Sequence, residues 1–216
     1  MQRLALFDLD DTLIDRRRAL EATLTRFASR HGLTADERDA LLARLDERAC
    51  AADFSAIRKL HSLSSSAQKL WREYLADMAA FSVCPDDVLD GLDDLKRHDW
   101  RIGIATNGSA DIQRAKLEST GIAHRVHAVC VSSDLGLRKP DPRLFATAAE
   151  LCGAAPHDGG WMVGDDPVKD IAGGRSAGLA TLWIGTPDRW PGHLHVPDRT
   201  APTALSAIRL LLEHTA

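Results

Sequence analysis

The spacing of apolar residues changes period along this chain, and that constrains its fold more than any other feature of the sequence. Residues 4–7, Leu-Ala-Leu-Phe, form a short apolar run that ends in acids, as a buried strand does. Residues 16–81 then follow a helical period with few β-branched side chains, which predicts three or four helices. Two start signals agree, because Thr34-Ala35-Asp36-Glu37 and Ser65-Ser66-Ala67-Gln68 each match a capping box. Beyond Pro85 strands and helices alternate. The predicted helices are 86–98, 110–120, 142–151, 167–177 and 203–214, and the predicted strands are 101–106, 127–131, 160–163 and 180–184. Gly121 and Gly178 stop two of these helices, and Asp141-Pro142 opens another. Such alternation predicts an α/β fold, a parallel sheet with helices on both faces. The helical block at 16–82 is then an insertion into a core made of residues 1–15 and 83–216.

A chain of 216 residues buries about 70% of its unfolded surface and needs no disulfide or metal to hold a core. Its 27 basic and 31 acidic side chains leave a formal charge of −4, with no drive toward nucleic acid or an anionic membrane. No apolar run approaches the ~20 residues of a membrane span. Asp8 interrupts the N-terminal segment before a signal-peptide apolar region forms. Cys50, Cys84, Cys130 and Cys152 are scattered, as expected of free thiols in a reducing compartment. The expectation is a cytoplasmic protein, monomer or homodimer, that binds neither nucleic acid nor membrane.

Ligands of an open parallel sheet bind beyond the carboxyl ends of its strands. Asp8-Leu9-Asp10-Asp11-Thr12 follows the first predicted strand and Thr106-Asn107-Gly108-Ser109 the second. Arg138-Lys139-Pro140-Asp141 lies past the third, and Gly164-Asp165-Asp166-Pro167-Val168-Lys169-Asp170 follows the fourth. Four strand ends thus bring carboxylates, a hydroxyl and a lysine to one rim. Asp8 and Asp10 sit two apart, so their side chains start on the same side. Adjacent carboxylates at a buried strand end are costly unless a cation compensates them.

These residues, in this order, resemble the haloacid dehalogenase superfamily, in its phosphatase type with a helical cap inserted after the first motif. The resemblance covers about residues 1–15 and 84–185. It implies a Rossmann-like catalytic core, with 16–82 as the helical cap, and a hydrolase dependent on Mg2+. In that reading Asp8 is the nucleophile and Asp10 the general acid and base. Thr106, Asn107 and Lys139 bind the substrate phosphate. Asp8, the main-chain carbonyl of Asp10, and Asp165 hold the metal. Asp170, with Asp166, orients the lysine or the outer metal shell. Asp166 directly precedes Pro167 and is also explained by helix capping. Many relatives carry Asn where this chain has Lys169, a departure beside the metal.

The function implied is hydrolysis of a small phosphomonoester through an aspartyl-phosphate. A phosphomutase or phosphotransferase would use the same core. A dehalogenase would turn Asp8 on carbon and have no need of Asp10, and a non-catalytic binding module would not need every motif position filled. The leaving group stays open among sugar phosphates, nucleotides, phosphoglycolate and sugar-acid phosphates, with selection expected of the cap. Elsewhere ordinary readings suffice. Thr12 shapes its loop, Arg138 and Arg16-Arg17-Arg18 are solvated, His193 and His195 are loop residues, and Lys59 and Lys69 are surface groups. Trp71 and Tyr74 either pack the cap or line a substrate pocket.

Overall fold

The computed structural model describes residues 3–154 and 158–213. Its sheet consists of β1 (Leu4–Phe7), β2 (Arg101–Thr106), β3 (Ala128–Val131), β4 (Trp161–Gly164), β5 (Ala180–Ile184) and β6 (Arg199–Ala201). The order is β3-β2-β1-β4-β5-β6, with every neighbouring pair parallel. β1 is central and buried on both faces, which is why all four of its residues are apolar. Leu4 and Leu6 pack with Leu144, Phe145 and Ala148 of one helix, Pro142–Leu151. Ala5 and Phe7 pack on the other face with helices Asp86–Arg97 and Ala204–Glu213, through Leu92, Leu95, Ile208 and Leu211. The strand order reverses at β1, so the crevice for a ligand opens at its carboxyl end.

The block after β1 holds four helices: α1 (Arg16–His31), α2 (Ala35–Leu45), α3 (Asp53–Leu60) and α4 (Ala67–Phe81). The core then supplies α5 (Asp86–Arg97), α6 (Ala110–Ser119), α7 (Ser132–Leu135), α8 (Pro142–Leu151), α9 (Gly173–Ser176) and α10 (Ala204–Glu213). α1–α4 bury a cluster of their own, in which the Phe54 ring touches Phe27, Trp71 and Tyr74. Trp71 and Tyr74 thus pack inside this helical block, and Tyr74 also edges a small pocket shared with Asp10 and Arg16. Asp77 of α4 ties this cluster to α1, accepting from Arg30 at 2.9 Å and Arg26 at 3.3 Å.

The cap rests on α6. Ile112 completes its apolar cluster, the Trp71 indole N–H donates to Asp111 Oδ2 at 2.8 Å, and the Ser119 hydroxyl donates to the carbonyl of Ala79 at 2.7 Å. Among the described residues no helix is long and apolar enough to cross a membrane. Cys84, Cys130 and Cys152 are buried, Cys50 is half-buried, and all four are free.

Several local expectations change. Thr34 and Glu37 form the capping box, but at the start of α4 it is Ser66 that accepts from the N–H of Lys69, so the cap falls one residue later than predicted. The predicted helix 167–177 begins as a π-helical turn, Pro167–Ala172, before α9. β6 and α7 are short elements that the periodicity does not reveal. His214, at the predicted end of the last helix, lies outside the described residues.

Candidate active site

Asp8 continues the β1–β4 ladder by one bond, its N–H donating to the carbonyl of Val163 at 2.9 Å. The chain then turns through Asp11, which takes a left-handed φ of 58°. The Asp11 carboxylate accepts from the N–H of Arg16 at 2.9 Å, so the same loop that exposes Asp8 and Asp10 also starts the cap. Such a conformation suits the short polar side chain of aspartate.

Lys139 is the hub of the site. Its Nζ lies 2.7 Å from Asp8 Oδ1 and 2.7 Å from Asp170 Oδ1, with the side chain 1% exposed. Burial would discharge this ammonium, but Asp170 and Asp8 outweigh it and keep it protonated well above the usual lysine range. The peptide between Lys139 and Pro140 is cis. Asp170 is fully buried because the π-helical turn carries it back beneath β4. There its Oδ2 accepts from the N–H of Asp166 at 3.0 Å. A Cβ on Gly164 would collide with that carboxylate, so only glycine fits the strand end. Burial pushes the Asp170 carboxyl up, against the opposing pull of Lys139.

Asp10 turns elsewhere. Lys116 Nζ donates to its Oδ1 at 2.8 Å and its Oδ2 at 3.1 Å, and Gln113 Nε2 donates to Oδ2 at 3.1 Å. Burial opposes its ionisation, yet Lys116, helped by Arg16 and Gln113, holds it below the usual carboxylate range. The Thr106 hydroxyl, buried at the end of β2, accepts from Gln113 Nε2 at 2.8 Å and keeps its own hydrogen to donate. Asn107 does not stand free: its Nδ2 donates to the carbonyl of Lys139 at 3.1 Å, and its Oδ1 accepts the Lys139 N–H at 2.9 Å.

Asp165 accepts from the Thr12 hydroxyl at 3.2 Å, so Thr12 does more than shape its loop. Burial, then the Asp8 and Asp11 carboxylates, push Asp165 up to about 6. Asp166 caps the π-helical turn through the N–H groups of Val168 and Lys169, and its other oxygen pairs with Lys169 Nζ at 2.7 Å. Lys169 is therefore half in solvent and spent on Asp166.

Carboxylate oxygens of Asp8, Asp165 and Asp170 all lie within 4.8 Å of one another. Three acids against one ammonium leave a deficit of positive charge, which adds to burial in raising Asp165. An all-oxygen donor set of this kind suits a hard divalent cation such as Mg2+. Both oxygens of Asp170 already accept hydrogen bonds, which leaves Asp8 and Asp165 as the ligands that would hold the ion.

Asp8, Asp10, Thr106, Asn107 and Asp165 line a cleft of about 310 Å³, whose other walls carry Arg16, Glu47 and Arg48 from the helical block and Arg138 from the core. A larger groove, about 1050 Å³, runs behind the loop past Leu13, Phe81 and Val83, but none of Asp8, Thr106, Lys139 and Asp165 lines it. The chemistry belongs to the smaller cleft. His193 and His195 are exposed and join no candidate metal cluster among the described residues. Lys59 and Lys69 are exposed, as expected. Of the three arginines that open α1, only Arg16 turns inward, donating to the carbonyl of Leu45 at 2.9 Å with its Nε 4.0 Å from Asp10.

The fold, with carboxylates, a lysine and a threonine gathered at the carboxyl ends of parallel strands, is that of a Rossmann-like hydrolase core interrupted by a block of helices. The model of the haloacid dehalogenase-like hydrolase family matches residues 5–184, and the chain belongs to that family. The phosphoserine phosphatase of Thermus thermophilus is 42% identical over 93 residues, 43% of this chain and 37% of the relative. A pyrimidine 5′-nucleotidase of Streptococcus pneumoniae is 25% identical over 92% of this chain and 88% of its own length. The crystal structure of a phosphatase of the family from Thermococcus onnurineus matches with a TM-score of 0.71 and 25% identity, over 98% of both chains. Against several curated relatives the shared stretch spans less than half of their length.

Proposed function

We propose that this chain is a magnesium-dependent phosphatase that hydrolyses a small phosphomonoester through an aspartyl-phosphate on Asp8. The observation that carries the reading is the Lys139 ammonium, held 2.7 Å from both Asp8 and Asp170 at the mouth of β1. Nothing in the packing of an apolar core asks for such a charge. It offsets the repulsion between a carboxylate nucleophile and a phosphate dianion. Relatives named as phosphatases and nucleotidases support the same chemistry.

Asp8 attacks phosphorus as the bond to the leaving oxygen breaks, and Asp10, once protonated against the pull of Lys116, gives that oxygen its proton. Water then attacks the acyl-phosphate, Asp10 takes its proton, and inorganic phosphate leaves with Asp8 restored. Lys139 and the Thr106 hydroxyl hold the phosphoryl oxygens through both steps. Asn107 acts mainly through the backbone of Lys139. Asp170 orients Lys139, and Asp166 supports the turn that carries Asp170. Mg2+, held by Asp8, Asp165 and the main-chain carbonyl of Asp10, supplies neutralisation of phosphoryl charge when bound. Residues 16–82 serve as the cap that covers the cleft and selects the leaving group, on a core of 1–15 and 83–216. The setting is the cytoplasm, and the partner is the small phosphate ester itself.

A phosphate-release screen across metabolite esters, with Mg2+ and with a chelator, tests this directly. Turnover is expected with Mg2+ and is expected to vanish on chelation. Asp8→Asn should abolish it, and Asp10→Asn should slow esters with poor leaving groups by ~100 to 10,000-fold. Full turnover by the chelated protein, or by Asp8→Asn, would reject the reading.

A further inference from the structure

We infer that Lys116 and Gln113 of α6 are positioning residues for Asp10, holding its carboxylate at the angle from which it serves the leaving oxygen. The inference rests on the phosphatase reading for the role of Asp10, but its geometry stands alone. Lys116 is 2% exposed and Gln113 1%. They lie three apart on one face of α6 and are joined to each other, Lys116 Nζ donating to Gln113 Oε1 at 3.0 Å. Lys116 then spans both oxygens of Asp10, at 2.8 Å and 3.1 Å.

Gln113 does the joining across strands. Its single amide nitrogen reaches Asp10 Oδ2 after β1, Thr106 Oγ1 at the end of β2 and the carbonyl of Asn107 just beyond, at 3.1, 2.8 and 3.4 Å. Two residues of one helix therefore set the relative places of the acid and of the phosphate-binding threonine. A Cβ on Gly108 would come within 3.0 Å of the Gln113 side chain, so the loop leaves room for that amide. Burying an ammonium costs several kcal/mol unless it is paired. Leu117 beside it fills the same helix with aliphatic carbon, so packing alone gives no reason for a charge at 116. Its partner is the Asp10 carboxylate.

The bland alternative is a buried ion pair that merely stabilises the core. Leaving groups separate the two, because p-nitrophenolate departs without a proton whereas phenolate gains from one. In the Mg2+-loaded full-length protein, Lys116→Met is expected to slow release of phenol in the first turnover by about 10 to 100-fold and release of p-nitrophenol far less; the first turnover is read because Asp10 serves both esters alike in the later hydrolysis. Gln113→Leu, which keeps the ammonium, should show the same split at smaller size. Adding Lys116→Met to Asp10→Asn should cost little more than Asp10→Asn alone, since residues that act as a unit are not additive. Equal losses on both esters in that first turnover, or additive losses in the double variant, would overturn the inference. A crystal structure of Lys116→Met needs no turnover. Asp10 turned from its present rotamer supports the positioning role, and Asp10 unmoved overturns it. If the wild-type protein hydrolyses neither ester, the phosphatase reading fails while the crystallographic result still decides this one.

Discussion

Asn107 grips the peptide of Lys139 from both ends, its side-chain oxygen on the N–H at 2.9 Å and its side-chain nitrogen on the carbonyl at 3.1 Å. This is the hydrogen-bonding pattern of a neighbouring backbone, supplied by one side chain. It fixes where the lysine stem leaves the loop, and hence where the ammonium meets Asp8. Asn107→Ala removes both bonds while leaving every charge in place. We expect the KM for p-nitrophenyl phosphate to rise about tenfold, the equivalent of one to two hydrogen bonds. Steady-state kinetics with unchanged KM would show that Lys139 needs no such grip.

If Asp165 is a ligand of the proposed cation, protons should compete with it there. Its carboxyl is pushed up to about 6 by burial and by the Asp8 and Asp11 carboxylates, so the protonated form gains as pH falls through that value. A ligand carboxylate must be ionised. Magnesium affinity should therefore hold steady above pH 7 and weaken by about tenfold at pH 5, one unit below that pKa. Calorimetric titration at the two pH values checks this, and equal affinities would remove Asp165 from the ligand set.

Gly164→Ala tests the space that Asp170 needs. The added methyl would strike the Asp170 carboxylate, and either β4 or the π-helical turn must give way. Overpacking of this kind costs about 1–3 kcal/mol. A displaced Asp170 also frees Lys139 to shift, and a misplacement near 1 Å lowers turnover by about 100-fold. Urea unfolding and kcat together are the measurement; a variant normal in both would mean the turn accommodates the methyl freely.

Asp77 holds α1 to α4 from inside the cap. Its carboxylate is almost fully buried, whereas Arg26 and Arg30 are partly in water, so the pairs are screened on one side. Asp77→Ala should destabilise the chain by about 1–2 kcal/mol, between an exposed ion pair and a buried one. Chemical denaturation shows it as a lower midpoint. An unchanged midpoint would assign the cap's cohesion to its aromatic cluster alone.

Much of this site was legible because its residues follow strands. An apolar run that stops at Asp8, Thr106 or Asp165 announces a strand end, and strand ends of a parallel sheet converge. Asp10 and Lys116 are different. They meet across 106 positions of sequence, and the lysine sits mid-helix with no motif around it. Only the pair Gln113 and Lys116, polar residues between Ile112 and Leu117, hints that this side of α6 covers something charged. β6 escaped for another reason: its three residues follow a segment rich in Pro, Gly and His, with too few positions to show a period. The π-helical turn escaped because proline, cap and glycine stop signals are the same for either kind of helix. That turn decides how deeply Asp170 is buried.

α6 carries the Asp10 clamp on one side and the cap on another, through Ile112, Asp111 and Ser119. The cap is thus not an exchangeable module joined only at its two connecting segments. A chimaera that grafts another helical insertion onto this core inherits a seam as well as two splice points. The incoming helices must offer an indole or equivalent donor to Asp111 and an apolar lid for Ile112. A graft that matches the splice points but not the seam would leave α6 loose, and the fault would surface as a displaced Asp10 carboxylate.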